Sequence, residues 1–172
     1  MRKSQRHLLK LILTAVMAAL CMVLDRFVSY MDSNMKIGIS FLPIILVAIL
    51  CGPIHSMAAW ALADLVGSFV FAKGAPIPGI TVVYALMGLV YGLFLYFGKL
   101  RWWKILLPAA INNFLLALFG TTFFLAQLTG LQTYWPRVGA RLLQCTILFG
   151  LNLILIPVAY RLGLILRRRM DS

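Results

Sequence analysis

A stretch of 36 residues, from position 37 to position 72, contains a single charged side chain, Asp64. One helix of that length would extend about 54 Å at 1.5 Å per residue, whereas the hydrocarbon layer of a bilayer is roughly 30 Å thick. The dipeptide Gly52-Pro53 offers a break, because glycine ends helices readily and proline is tolerated in a first helical turn. The stretch therefore predicts two consecutive helices in an apolar environment.

The rest of the chain has the same character. Of its 172 residues, 63% are hydrophobic and 12% are charged, far from the average of soluble domains. A span needs about 20 apolar residues, so the chain has room for about six. We predict an all-α integral membrane protein with one membrane domain, residues 1–172, and with Gly88 and Gly92 as a close-packing face of helix four. The six predicted transmembrane helices cover approximately residues 8–24, 41–51, 53–71, 79–98, 105–128 and 137–166.

Basic residues are distributed unevenly between the predicted loops. The chain has 16 Lys and Arg against four acidic residues, a net charge of +12. Six crossings place both termini on one side, which then carries eleven basic residues against five on the other. The positive-inside rule assigns the richer side to the cytoplasm. We therefore predict cytoplasmic termini, and we interpret the charge as a sign of topology, with the lipid bilayer and not nucleic acid as the partner.

Reactive groups are sparse and scattered. His7 and His55 are isolated from other potential ligands, and the three cysteines form no CxxC pair, so we predict neither a metal site nor a cofactor. Membrane enzymes usually show paired acids, a nucleophile beside a histidine, or metal ligands. A phosphate-binding loop is also missing. The sequence therefore favours a protein that is not an enzyme and does not itself hydrolyse ATP.

Charged residues inside helices are candidates for ligand binding. A charge at the middle of a bilayer costs about 2.5 to 3.5 kcal/mol, so a retained one usually faces a cavity or a partner. For Asp64, a buried ion pair and a hydrogen bond to a ligand's amino groups are equally good explanations. Arg137 and Arg141 share one face at the outer end of helix six. They can reach lipid headgroups or, at Arg141 in particular, clamp a carboxylate.

Other candidate residues have an ordinary explanation beside the functional one. Arg26, at the end of helix one, can form a surface ion pair. Asn113 can serve as a hydrogen bond between helices, and Tyr84 can anchor at the membrane interface or stack on a flat heterocycle. Ala15 and Ala19, four residues apart on helix one, permit another helix to approach closely, either within the chain or in a partner.

Several short motifs occur together in an order that resembles the folate-family substrate-binding component (S component) of energy-coupling factor (ECF) vitamin transporters. They extend over predicted helices one to four, and the resemblance covers most of the chain. The motifs are Ala15-x-x-x-Ala19, Arg26, Phe41-Leu42-Pro43-Ile44, Gly52-Pro53, Ala61-x-Ala63-Asp64-x-x-Gly67 and Pro78-Gly79-Ile80-Thr81.

The resemblance implies a six-helix protein of a prokaryotic plasma membrane that captures a vitamin at its outer face. It also implies docking, through Ala15 and Ala19, on a module made of a transmembrane coupling protein and two ATPases. On this basis we expect Tyr84 to stack on the ligand and the remaining polar candidates to contact it. The predicted ligand-binding residues are Arg26, Asp64, Tyr84, Asn113 and Arg141.

Physical chemistry favours folate among the vitamins. The five basic residues on the outer side suit the carboxylates of its glutamate, and the aromatic residues together with Asp64 suit a pterin ring. A cationic vitamin such as thiamine would require more acidic residues. Two alternatives remain open: an S component for another vitamin such as riboflavin, and a structural membrane protein of an envelope-assembly complex that binds no ligand.

Overall fold

The computed structural model describes residues 3–31, 36–70, 77–97, 101–130, 132 and 134–171. Almost all of these residues belong to six helical rods. A short antiparallel hairpin with two residues in each strand, β1 (Tyr30–Met31) and β2 (Lys36–Ile37), lies in the connection between the first and second rods. The predicted all-α, six-helix membrane fold is confirmed. The helices are α1 (Lys3–Val23) with a π-helical turn (Leu24–Val28), α2 (Phe41–Cys51), α3 (Pro53–Val70), α4 (Pro78–Tyr96), a fifth rod comprising α5 (Trp103–Ala110), a π-helical segment (Ile111–Thr121) and α6 (Thr122–Thr129), and α7 (Tyr134–Asp171).

The outer surface of the bundle is apolar. Large side chains such as Leu11, Val16, Ile154 and Val158 are more than half exposed, which would be unfavourable over so large an area in water. Within the part of the chain that the structure describes, four helices are long and apolar enough to cross a membrane. The exposed apolar surface is therefore the face that contacts lipid.

The short helix α2 forms the centre of the bundle. Ile44, Ile45, Val47 and Ala48 have no exposed surface, and α2 contacts α1, α3, α4 and α7. A helix that is apolar on every side is stable only when it is surrounded by other apolar groups. Its 11 residues therefore form a core helix between longer neighbours.

The predicted break between α2 and α3 is present at Gly52. This residue has a φ of 100°, a backbone conformation that residues with a Cβ rarely adopt. Its N–H donates to the carbonyl of Val47 at 3.3 Å and closes α2. Pro53 then begins α3 in the first turn, where its missing N–H is not needed.

The glycines of α4 allow its backbone to contact α3 directly. A Cβ at Gly88 would lie 2.4 Å from the carbonyl oxygen of Ser56, and one at Gly92 would lie 2.2 Å from Cα of Pro53. Neither contact can be relieved by rotating a side chain, because the atoms belong to the backbone. The predicted close-packing face is confirmed at both positions.

Contacts at the helix ends establish the directions of the first three helices. Ser40 donates to Asp25 Oδ1 at 3.1 Å at one end of α1, and the Cys51 thiol donates to the Lys10 carbonyl at 3.9 Å near the other. Arg26 lies against Gly67 near the end of α3. Hence α2 runs antiparallel to α1 and α3. We call the end of the bundle that holds Asp25 the outer end, following the predicted topology.

Candidate functional site

A cavity lies between the helices in the outer half of the bundle. It contains about 670 Å³ of empty space, part of which is open to the surroundings. All six helical rods contribute residues to its walls. The cavity therefore depends on the assembled bundle and not on any single motif.

One face of α7 forms a full side of the cavity. Arg141, Gln144, Leu148 and Asn152 line it, at spacings of three and four residues that place side chains on the same helix face. Eleven residues correspond to about 16 Å along a helix axis. Because α7 begins at the outer end, Arg141 lies near the mouth of the cavity and Asn152 near its floor.

The fifth rod contributes through its π-helical segment. Asn112, Asn113, Ala117 and Thr121 all line the cavity, because in a helix with i to i+5 hydrogen bonds the residues four or five apart share a face. The Asn113 amide donates to the Ala109 carbonyl at 2.8 Å. A regular helix over residues 105–128 was expected here. A π-helical segment replaces the middle of that helix.

Stacked aromatic rings form the wall opposite α7. The ring of Trp60 lies 5.6 Å from that of Tyr84, at 27° between the planes, and 5.9 Å from that of Tyr91, at 14°. The Tyr91 hydroxyl donates to Asn152 Oδ1 at 2.8 Å and joins the wall to the floor. We call Trp60, Tyr84 and Tyr91 the aromatic wall. It offers flat π surfaces to a planar ligand.

Arg141 is the basic group of the cavity. Its Nη1 donates to Thr121 Oγ1 at 2.9 Å and to Thr122 Oγ1 at 3.1 Å. Both of these hydrogen bonds use one nitrogen of a planar group with five N–H donors. The two threonines thus hold the guanidinium in place while other N–H groups can bind a carboxylate from the cavity.

Asn112 has an acceptor that is unused within the described part of the chain. Its Nδ2 donates to the carbonyl of Met87 at 3.2 Å, whereas its Oδ1 is buried and accepts no hydrogen bond from a described residue. A buried acceptor without a partner costs about 1 to 3 kcal/mol. A ligand N–H that donates to Asn112 Oδ1 would remove that cost.

Asp25 is the acidic residue among the described residues that line the cavity. It lies in the π-helical turn that ends α1, and it accepts a hydrogen bond from Ser40 at the start of α2. This position is at the outer end, so Asp25 and Arg141 are the acidic and the basic group that described residues contribute near the mouth of the cavity. Between the mouth and the floor, amides and aromatic rings line the cavity together with apolar side chains such as Leu148.

The structure brings three of the five predicted ligand-binding residues together in the cavity, namely Tyr84, Asn113 and Arg141. Arg26 is directed to α3, where its Nε and Nη2 lie 3.5 Å from the position of a Cβ on Gly67. Asp64 Oδ2 accepts a hydrogen bond from Thr81 at 2.7 Å. Neither Arg26 nor Asp64 lines the cavity.

Trp60 and Tyr91 are not among the residues predicted from the sequence. The sequence does contain a signal for both of them. Trp60 precedes Asp64 by four residues on α3, and Tyr91 follows Tyr84 by seven on α4, so each pair shares a helix face. Extending a candidate residue along its own helix face would have identified the rest of the wall.

The predicted docking pair lies on the surface of α1. Ala15 and Ala19 are exposed, whereas Ala18 and Cys21 are buried in the bundle. The pair is therefore not used for packing between described helices. No group of three metal-binding side chains occurs among the residues that the structure describes.

The chain is similar to known proteins along most of its length. Residues 9–160 match a family model described as "ECF transporter, substrate-specific component". The chain is 31% identical over 152 residues to the folate transporter FolT of Clostridium novyi (strain NT), covering 88% of each chain. It is also similar to a crystal structure of FolT bound with folic acid, with a TM-score of 0.77, 29% identity and coverage of 89% of this chain and 91% of that one. The matched region contains every residue that lines the cavity.

Proposed function

The chain belongs to the substrate-specific components of ECF transporters, and from this premise we propose that its cavity binds folate. The chain is thus a multi-pass membrane protein and a component of a transporter. The observation that carries the proposal is the combination, in one elongated cavity, of the stacked aromatic wall and a fixed arginine near the mouth. The similarity to a FolT bound with folic acid supports the same ligand.

The aromatic wall and the unused amide oxygen suit the pterin ring. The ring is planar, so it can stack on Trp60 and Tyr84, and such contacts contribute about 0.5 to 1.5 kcal/mol beyond the area that they bury. Its amino and ring N–H groups are donors, which can reach the buried oxygen of Asn112, while Asn113 provides a second amide nearby. We therefore assign the pterin to the middle and floor of the cavity.

The mouth of the cavity suits the glutamate end of folate. Arg141 offers N–H donors to a carboxylate, and hydrogen bonds between charged groups are about twice as strong as neutral ones. Asp25, also near the mouth, repels carboxylates and directs them to Arg141. Folate carries its ring and its carboxylates at opposite ends, which matches a cavity that extends along about 16 Å of α7 from Arg141 to Asn152.

The transport partners follow from the family. We propose that the chain docks on an ECF coupling protein, which works with two ECF ATPases, in the plasma membrane of a prokaryote. The exposed pair Ala15 and Ala19 supports α1 as the docking helix, because small residues let a partner helix approach closely. The alternative of an envelope-assembly protein without a ligand receives no support from the similarities.

Binding to the detergent-purified protein tests this proposal. Folate is titrated while the fluorescence of Trp60 and the other tryptophans is recorded, with pteroate, riboflavin and thiamine in parallel. We expect folate to bind most tightly, and pteroate, which lacks the glutamate, to bind more weakly. Binding of riboflavin in preference to folate would transfer the proposal to that vitamin, and absence of binding by all four compounds would refute it.

A further inference from the structure

The contact between Asp64 and Thr81 lies next to the aromatic wall on the same two helices. Asp64 follows Trp60 by four residues on α3, and Thr81 precedes Tyr84 by three on α4, so each pair shares a helix face. The 2.7 Å hydrogen bond from Thr81 to Asp64 is therefore one turn closer to the outer end than the stack of Trp60 on Tyr84. The two contacts are neighbours between the same helix faces.

The inner part of this helix pair is fixed by backbone contact. The Ser56 hydroxyl donates to the carbonyl of Gly88 at 2.8 Å, and a Cβ at Gly88 would lie 2.4 Å from the Ser56 carbonyl oxygen. Toward the outer end, the hydrogen bond from Thr81 to Asp64 joins the two helices. The aromatic wall thus lies between a steric contact on one side and a hydrogen bond on the other.

The carboxylate of Asp64 is a strong acceptor for the hydrogen bond that joins α4 to α3. Hydrogen bonds to an ionised group are shorter and stronger than those between neutral groups, and a charged residue inside a membrane protein is usually retained for a specific partner. Arg26 adds a positive charge nearby, because it lies against Gly67, three residues beyond Asp64 on the same helix. Residues at this spacing are about 5 to 6 Å apart.

We propose that Asp64 and Thr81 are positioning residues, which hold α4 against α3 so that Tyr84 stays stacked on Trp60. Asp64 then affects the ligand through the aromatic wall, without touching the ligand. The expected effect on folate binding rests on the proposed function, whereas the expected effect on the packing of the aromatic wall does not. Loss of the hydrogen bond lets the outer part of α4 shift and separates the two rings.

The ligand-free protein gives the first test. The near-ultraviolet circular dichroism of Trp60 reports the packing of its ring, and the variant Thr81→Val removes the donor while keeping the side-chain shape. We expect Thr81→Val to reduce the Trp60 signal, because the Tyr84 side of its stack is lost, and Thr81→Ser to retain it. The same change at an exposed intrahelical threonine, Thr146→Val, serves as the matched control. To isolate the signal, all variants carry phenylalanine at the exposed positions Trp102, Trp103 and Trp135.

Folate binding gives the second test. We expect Thr81→Val to weaken folate binding by at most the roughly 3- to 10-fold that loss of the aromatic stack itself would cause, and Thr81→Ser to leave it within about twofold. In a Tyr84→Leu background, Thr81→Val should cause no further loss, because the stack that it positions is already absent. Additive losses would show that Thr81 acts by another route and would overturn the proposal.

Two further results separate this proposal from its alternatives. Asp64→Asn keeps an acceptor oxygen, so we expect the Trp60 signal to persist in this variant. Asp64→Leu removes the acceptor and should have the same effect as Thr81→Val. If Thr81→Val does not fold, these two Asp64 variants test the positioning role. An unchanged Trp60 signal in Thr81→Val and in Asp64→Leu would refute the positioning role. If the signal changes as expected while the parent protein binds no folate, the proposed function fails and the positioning role stands.

Discussion

The direct contact between α3 and α4 makes a sharp prediction for Gly92→Ala. The added Cβ would lie 2.2 Å from Cα of Pro53, 2.7 Å from the hydroxyl oxygen of Ser56 and 2.8 Å from Cβ of Pro53. Ordinary contacts begin near 3.4 Å, so the two helices must separate by about 1 Å at this level. Since one partner is backbone, no change of rotamer can avoid the movement.

The size of the effect follows from two opposing contributions. Overpacking a well-packed site costs about 1 to 3 kcal/mol, and a clash with backbone belongs at the upper end of that range. Alanine in a helix is favoured over glycine by about 1 kcal/mol. We therefore expect Gly92→Ala to lower the free energy of unfolding by about 2 kcal/mol.

A matched control is available on α7. A Cβ at Gly150 would meet no atom within 4 Å, so Gly150→Ala should be neutral or should stabilise by up to about 1 kcal/mol. The two variants should then differ by about 2 to 3 kcal/mol, or roughly 4 to 12 °C in Tm for a protein of this size. Thermal unfolding of both proteins in the same detergent measures the difference. Equal Tm values would refute the reasoning, because they would show that α3 and α4 do not touch at Gly92.

Three further predictions concern the ligand and the partner. Arg141→Met should weaken folate binding roughly 10- to 100-fold, the effect of a lost hydrogen bond to a charged group, and should weaken pteroate binding much less. The control Arg137→Met, on the same helix, should leave the binding of both ligands unchanged. Equal losses of folate and pteroate binding in Arg141→Met would contradict the assigned orientation. Trp60→Leu should weaken folate binding roughly 3- to 10-fold and abolish most of the fluorescence change, and a full fluorescence response without Trp60 would show that the ligand lies elsewhere. Introducing Ala15→Leu with Ala19→Leu should abolish folate uptake by cells that contain the ECF partners while the purified protein binds folate normally; unchanged uptake would exclude this face of α1 as the docking surface.

Much of the fold could be predicted because it depends on sums over local sequence. Apolar content along each segment identifies the helices, and the order Gly52-Pro53 divides the long apolar stretch where the structure has its break. The two glycines of α4 are correctly predicted as a close-packing face for the same reason, since their spacing alone places them together on a helix. The orientation of the bundle in the membrane, inferred from basic residues, stays a prediction.

The candidate site was predicted less completely. Tyr84, Asn113 and Arg141 line the cavity, but the charged residues Arg26 and Asp64 do not. Arg26 and Asp25 are neighbours in sequence, yet Asp25 lines the cavity and Arg26 lies against α3. Composition cannot tell which polar residues face the cavity, because the direction of a side chain depends on the rotation of its helix about the helix axis.

The sequence by itself determined that this chain is a six-helix membrane protein, because transfer of side chains into lipid is a local property that is nearly additive along the chain. Its motifs also indicated the family. Only the tertiary structure decided which polar residues meet in the cavity, that Trp60 and Tyr91 join Tyr84 in one wall, and that a π-helical segment turns Asn112 and Asn113 toward it. These features arise from packing between helices distant in sequence, where backbone contacts at Gly88 and Gly92 fix distances and rotations that no local pattern specifies.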